Sequence, residues 1–491
     1  MDSFDTAEGI FATLKADLTK KAAIGTELFD VEKHVSLSSR ELIRNLLQGY
    51  VDRVVATDLG PEVVSVHNKK LTHKRKSSRK IVTMYGEISI ERMGYSSRYH
   101  EALFPHDAVL NLPSSRYSYC LQKFVAKESS KGAFDSVLDA AKELFGITLG
   151  KQQAAEIAQQ CSRYFDAFYA ESTQGIEKSL RKEQRHLLIL TTDAKGVVMR
   201  ADGLREQTKK RQAVSNSKKK SRLSKGEKSN AKRMAQVASL YFVEPYIRNI
   251  EDIVNKTESK ETKRPKPKCK KVWASLEKSS ADVIDEMVAQ AVRLDPNKEH
   301  RWAVLVDGQT TQIKQLKSSL KKHKRHAPII LDIVHAIEYL WKAAYCFHSE
   351  ESTEAEAWVT RYLEHLLNQG GKSAARSIRM SAAKLLTPQK CEKVRKITSY
   401  FSERDEYTNY KRHLKQGYPI GTGIIEGACR YLVKDRMDIT GARWGLTGAE
   451  AILRLRTLVK NGDFETYWKF YVEQERKRLY EDRFIIPNYP N

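Results

Sequence analysis

The sequence predicts an α/β protein, in which a mixed sheet with parallel crossovers follows a mostly helical region that carries a β-hairpin. Three observations support this. Near residue 186 helical periodicity gives way to short apolar runs such as LLIL, SLYFV and AVLV. From about 280 these runs alternate with amphipathic helical segments, the outline of strand–helix–strand units. From about 346 to 415 only helical periodicity is found.

The elements follow in order. Leu42, Leu46, Leu47, Val51 and Val54 recur at helical spacing over 38–55, with Ser38 or Ser39 as N-cap. A basic stretch, HNKKLTHKRKSSRK, leads into RKIVTMYGEISIERMGYSS. There Ile81, Thr83 and Tyr85 alternate, and Ile88 and Ile90 resume after Gly86, so the segment reads as a hairpin. Beyond the loop FPHDAVLNLPSS, the run FDSVLDAAKELF, GITLG, KQQAAEIAQQC reads as helix, tight turn, helix. That spacing suits a DNA-binding helix-turn-helix and equally an ordinary helical hairpin.

HLLILTTDAKGVVMRADG reads as a strand, a turn of two or three residues and a second strand, and AQVASLYFVEPYIR as the third. The basic stretch SKKKSRLSKGEKSNAKR lies between them, and ETKRPKPKCKKVW reads as a basic linker. SADVIDEMVAQAVRL is then an amphipathic helix, RWAVLVDGQ a buried strand, and QTTQIKQLKSSLKKH a basic helix. APIILDIVHAIEYLWKAA is a strand running into a helix. The turn YPIGTG opens the helix GIIEGACRYLVKDRM, and DFETYWKFYVEQERKRLYEDRF forms the last helix. The expected divisions are 1–115, 116–182, 183–345, 346–420 and 421–491.

The 491 residues hold 86 Lys and Arg against 61 Asp and Glu, a net charge of +25. Such a surplus repels itself in a compact chain, and a polyanionic partner, nucleic acid first, relieves it. No apolar run approaches the ~20 residues that span a bilayer. The opening MDSFDTAEG is acidic and polar and does not read as a secretory signal. Cys120, Cys161, Cys269, Cys346, Cys391 and Cys429 form no CxxC pair, which excludes a zinc ribbon and a disulfide framework. Reduced thiols in a cytoplasm are expected.

Three carboxylates stand out by position. Asp193 lies just after LLIL, Asp307 ends AVLV before Gly308, and Glu426 sits in the first turn of the helix after GTG. They are 114 and 119 residues apart, so only the fold can unite them. Acids at strand ends face a cleft and repel one another there unless a divalent cation neutralises them. Mg²⁺ binds through one or two carboxylates and takes phosphate oxygens as further ligands. Two such ions ~4 Å apart support in-line attack on a phosphodiester. Taken singly, Asp193 and Asp307 are also ordinary turn formers, and Glu426 also suits a helix N-terminus. Asp332 in LDIVH competes with Asp307 for the second position. His335, one helical turn on, shares its face, either as a metal pair or as structural hydrogen bonding. GxGxxG, P-loop, GxSxG and HExxH patterns are absent.

With these residues in place, the sequence resembles the ISKra4 family of bacterial insertion-sequence transposases over most of its length. The resemblance rests on LTTDAKGVVMR around Asp193, RLSKGEKSNAKRMAQVA, WAVLVDGQ around Asp307, and LDIVHAIEYLWKAAYCFH around Asp332 and His335. Its longest block is PIGTGIIEGACRYLVKDRMDITGARWGLTGAEAILRLR around Glu426. It implies a DDE transposase with an RNase H-like catalytic core, interrupted by an all-helical insertion at 346–420. Asp193, Asp307 and Glu426 match the metal-binding triad, and LDIVH a supporting D-x-x-H signature. Two Mg²⁺ ions are implied, with Mn²⁺ as substitute. Ala194 departs from the glycine that often follows the first aspartate, but the acid itself is intact.

Basic residues concentrate in 64–80, 205–233 and 258–272. Lys209, Lys210, Arg211, Lys218, Lys219, Lys220 and Arg222 are the expected phosphate contacts. Arg443 and Trp444, in GARWG, would add phosphate contact and base stacking. Recognition of element ends is assigned to the region 1–182. The expected partners are double-stranded transposon-end and target DNA and further copies of the chain, acting at a bacterial nucleoid without a membrane. The competing readings are a non-catalytic DNA-binding regulator derived from a transposase, and an RNase H-like nuclease that cuts without joining.

Overall fold

The computed structural model describes residues 2–56, 71–98, 102–171, 186–216, 232–254, 264–439 and 441–481, with backbone alone at 64–65, 212–216 and 484–485. Two units separate by their contacts: Met1–Phe168 with Gly462–Asn491, and Tyr169–Asn461. The C-terminal thirty residues therefore belong with the N-terminal region.

In the first unit, helices α1 (Ser3–Ala23) and α2 (Leu28–Val55) precede a two-residue strand β1 (Val64–Ser65) and the hairpin β2 (His73–Thr83) and β3 (Gly86–Ser96). The hairpin is paired without interruption from His73↔Ser96 to Thr83↔Gly86, longer than its apolar alternation suggests. Backbone pairing carries the basic run HKRK outward as exposed strand. The apolar end (Ile81, Ile88, Ile90) packs with Val51 and Leu112.

Helices α3 (Pro105–Val109) and α4 (Tyr119–Lys131) follow, then α5 (Phe134–Phe145) and α6 (Lys151–Cys161) on either side of GITLG. The expected helix–turn–helix shape is present. Gly146 ends α5 in the left-handed conformation, where glycine costs least. The unit ends within α7 (Phe165–Glu171).

The second unit is built on a five-stranded sheet of order β6-β5-β4-β7-β8. Its strands are β4 (Leu187–Val198), β5 (Lys232–Val243), β6 (Lys268–Ser275), β7 (Arg301–Val306) and β8 (Ile329–Leu331). β4, β5 and β6 are antiparallel neighbours, whereas β4–β7 and β7–β8 are parallel. The α/β class and the mixed sheet are as the sequence predicts.

Two strand assignments are corrected. LLILTTDAKGVV is one strand, because β5 pairs with it from Leu187↔Val243 through Val198↔Lys232. An unbroken ladder outweighs the ~0.5–1 kcal/mol that Gly196 costs in a strand interior. KCKKVWAS, read as linker, is the edge strand β6. Lys268 and Lys270 are exposed at the margin while Val272, Ala274 and Ser275 are buried, and lysine on an edge discourages further pairing.

The parallel strands are buried along continuous apolar runs, as strands covered on both faces are. Helix α8 (Glu206–Asn216) and the short α9 (Glu251–Val254) border the meander. Helices α10 (Ser280–Leu294) and α11 (Thr310–Lys322) cover the sheet with Val283, Met287, Val288, Ile313 and Leu316. α12 (Ile333–Phe347) leaves the end of β8. Then come α13 (Thr353–Leu385), broken at Gly370, α14 (Pro388–Glu403), a 3-10 turn (Asp405–Tyr407) and α15 (Tyr410–Lys415). Residues 346–420 contain no strand. α16 (Gly423–Ala428) continues as a π-helix over Cys429–Lys434 and a last turn Asp435–Met437. α17 (Leu446–Lys460) closes the unit, and α18 (Phe464–Arg476) lies in the first one. No helix among the described residues is long and apolar enough to cross a membrane.

His413 of α15 is buried, with its ring 5.9 Å from that of Tyr418. Burial, and then the Arg412 charge, push its imidazole down from 6.5 to about 4. The unfolded chain therefore binds this proton more readily, so the stability is complete above 6.5 and is lost as pH falls toward 4. His413→Asn should remove roughly 2–3 kcal/mol of that loss, seen as a flatter dependence of Tm on pH across this window.

Candidate metal centre

Strand register gathers acids from distant parts of the sequence. Thr191 pairs with Leu305, and Leu305 with Ile330. Asp193, Asp307 and Asp332 each stand two residues beyond that row, toward the carboxyl ends of β4, β7 and β8. Equal parity on in-register parallel strands directs all three to one face. Adjacent strands lie only about 4.8 Å apart.

Each acid is held differently. Asp193 is half-buried; its Oδ1 accepts the Ala194 N–H at 2.6 Å and its Oδ2 accepts the Cys429 thiol at 3.3 Å. Asp307 accepts the Gln309 N–H at 2.9 Å on Oδ1, closing a local turn. Its main-chain carbonyl accepts the Tyr400 hydroxyl at 2.7 Å, and the next carbonyl, of Gly308, accepts Arg404 Nε at 2.6 Å. Gly308 has φ +97°, and a Cβ there would sit 2.8 Å from Arg404 Cδ. Glycine is required by both the backbone angle and the clamp from α14.

Asp332 is fully buried and caps α12. Its Oδ1 accepts the Thr422 N–H at 2.9 Å; its Oδ2 accepts His335 N–H at 3.1 Å and lies 2.6 Å from His335 Nδ1. Burial alone would raise this carboxyl, but the bonds from His335 and Thr422 overcome it and hold Asp332 below the usual range. The same bond raises His335 to about 9, against desolvation and helped by the nearby charges of Asp332, Glu338 and Asp307.

Glu426 is exposed on α16, and its Oε1 accepts the Thr422 hydroxyl at 3.2 Å. Cys429, one turn further on, reaches Asp193. Burial first, and the Asp193 charge second, push that thiol up, so it stays a neutral donor. The helix widens to π geometry at Cys429, a distortion that recurs at functional sites. Thr422 and Cys429 thus link Asp332, Glu426 and Asp193 to one helix, and sequence reasoning missed both. Their only signals were positions four before and three after Glu426.

Asp332, His335 and Glu426 offer ligand atoms within 4.8 Å of one another. Asp193 and Asp307 are outside that group. Its donor set, one imidazole and two carboxylates, suits a transition metal better than Mg²⁺, which prefers oxygen. Asp332 is also nearly saturated, with three hydrogen bonds on about four acceptor sites. By contrast, Asp307 Oδ2 and Glu426 Oε2 have no protein donor among the described residues. The oxygens left open for an oxygen-seeking ion are therefore those of Asp307 and Glu426, while Asp193 accepts one donor on each oxygen. Asp332 and His335 tie the end of β8 to the start of α16.

The expected DNA contacts fare unevenly. Lys209 is bonded to Glu206 at 2.8 Å, and Lys210 and Arg211 are exposed on α8. Lys218, Lys219, Lys220 and Arg222 lie outside the described residues. Arg443 is exposed, but the Trp444 ring is buried. It bonds the Met437 carbonyl at 3.0 Å and sits under the Arg436 guanidinium, which leaves it no open face for a base. Compared with protein-family models and with curated proteins, the sequence matches none.

Titrating Mn²⁺ by electron paramagnetic resonance orders these roles. Asp307→Asn should weaken binding by about 100-fold or more, and His335→Gln, which loses only an orienting group, by about 10-fold. The reverse order would assign the ion to Asp332, His335 and Glu426.

Proposed function

We propose that the chain is a metal-dependent DNA transposase, whose second unit is an RNase H-like core carrying an all-helical insertion at 346–420. The observation that carries this reading is the meeting of strand-end acids with the Glu426 helix at one cleft in a strongly basic protein. The resemblance around Asp193, Asp307 and Glu426 supports the same three ligands. Asp332 and His335 act as the positioning pair.

A bound Mg²⁺ pair would supply Lewis-acid activation of the nucleophile and charge neutralisation at the leaving oxygen. The protein's own part is geometric. Asp193 and Asp307 hold adjacent corners because their strands are paired just before them. Glu426 is steadied by Thr422, which is fixed in turn by Asp332. The Cys429 thiol donates a hydrogen bond to Asp193 and so helps fix its carboxylate. In the proposed reaction, water opens the phosphodiester at an element end, and the freed 3′ hydroxyl then attacks target DNA in line. The helix–turn–helix of α5 and α6 and the basic hairpin β2–β3 are the proposed readers of element ends.

The test uses end-containing duplex DNA with Mg²⁺ and follows both nicking and joining. Asp193→Asn, Asp307→Asn and Glu426→Gln should each abolish cleavage, with DNA affinity within about 3-fold of wild type. Cleavage without joining of pre-cut ends would favour a nuclease. Binding with no cleavage by the wild-type protein would favour a regulator.

A further inference from the structure

A cavity of about 1110 Å³ lies in the second unit, at the amino ends of β7 and β8. It opens opposite the strand ends that carry the acids. Six cations line it (Lys298, Lys317, Lys321, Lys324, Arg325 and Arg412), against the single acid Glu406. Lys317 bonds Glu406 at 3.0 Å, and no acid among the described residues pairs with Lys298, Lys321, Lys324 or Arg412. So dense a cluster of like charge opposes folding unless an anion occupies it.

Two further features mark the cavity as built. Arg325 is fixed through Nη2, which donates to the Asp295 carbonyl at 2.8 Å, and its guanidinium lies over Trp302. Its Nε and Nη1 are shielded from solvent and have no hydrogen-bond acceptor among the described residues. Lys298 and Lys324 adopt positive φ, 59° and 51°, in the turns after α10 and α11. Glycine or asparagine would fit there without the strain of about 1 kcal/mol that a long side chain carries in that region. Both strained lysines turn a helix end into a cation at the cavity wall.

We propose that this cavity binds phosphate oxyanions, and that its occupant is the backbone of a nucleic-acid strand. Its rings argue against a free nucleotide. Arg325 lies over one face of Trp302, which is itself buried, and Lys317 over one face of Tyr407, so cations occupy the aromatic surface that a base would stack on. The volume also exceeds the ~300–1,000 Å³ of ordinary small-molecule pockets. From Trp302 at the cavity, along β7 to Asp307 just past its end, is five residue steps, about 17 Å at the rise of a strand. That is about five phosphate steps along one strand of a duplex. The inference rests on the proposed function only for what the acids do; phosphate binding is measured without cleavage.

The experiment is fluorescence anisotropy of labelled single-stranded and duplex oligonucleotides with the full chain in EDTA, over a range of salt. The variant carries Lys298→Ala, Lys321→Ala, Lys324→Ala and Arg412→Ala, all exposed positions, and an unchanged melting curve verifies its fold. Affinity should fall at least about 10-fold, and the slope of log affinity on log salt should become shallower by about 3, near 0.7–0.9 per lost contact. A control removes four cations elsewhere, by Lys384→Ala, Lys390→Ala, Lys393→Ala and Lys396→Ala. An equal loss in the control would reduce the effect to net charge and overturn the site. Unchanged DNA affinity in the cavity variant would overturn it too. So would calorimetric binding of ATP or tripolyphosphate that the variant loses while DNA binding persists. Asp193→Asn abolishes cleavage alone, so failure of the catalytic reading leaves this result readable.

Discussion

Repulsion among carboxylates drawn to one end of a sheet is the constraint around which the second unit is arranged. Two unit charges 4.8 Å apart, the spread of the Asp332–Glu426 group, repel by roughly 3 kcal/mol at an effective dielectric of ~20. The protein offsets this with several donors of hydrogen bonds. His335 carries its proton to about 9 beside Asp332, Thr422 bonds Asp332 and Glu426 together, and the Cys429 thiol donates a hydrogen bond to Asp193. Asp307 and Glu426 each keep one oxygen without a protein donor among the described residues. Those two open oxygens are where the proposed cation would complete the group.

The helical stretch between β8 and Glu426 is part of this arrangement. Tyr400 and Arg404, both at the end of α14, seize the carbonyls of Asp307 and Gly308. Tyr339 of α12 stacks on Tyr400 at 3.8 Å between ring centres, and Arg404 covers the same ring. The exit of β7 is therefore fixed by residues nearly a hundred positions later. Whatever moves α14 moves the Asp307 backbone, which couples the helical segment to the acids.

Much of this was legible in the sequence because it is local. An apolar run that ends in an aspartate and a glycine marks a buried strand leaving the sheet, and Asp307–Gly308 behaves so. Gly421 and Gly423 beside Thr422 mark the entry to α16. What failed was non-local. DAKG reads as a turn until β5 is seen pairing along all of β4, and KCKKVWAS reads as linker because edge strands tolerate lysine. Asp332 and Asp307 are indistinguishable by spacing. Their hydrogen bonds separate them, one nearly saturated and buried, the other open, and no sequence pattern records that difference.

The distribution of charge along the sheet ties the acids to the basic cavity. Parallel strands have their carboxyl ends on one side and their amino ends on the other, so β7 and β8 carry acids at one end and lysines and arginines at the other. Cations placed beside the acids would pair with them and fill the cleft. Removed by the length of a strand, they would leave the acids free for the proposed metal and still attract the proposed polyanion to the same unit. A phosphodiester chain is long enough to answer both ends at once, whereas a single phosphate answers only one. The spacing of opposite charges thus accords with the extended nucleic-acid strand proposed above.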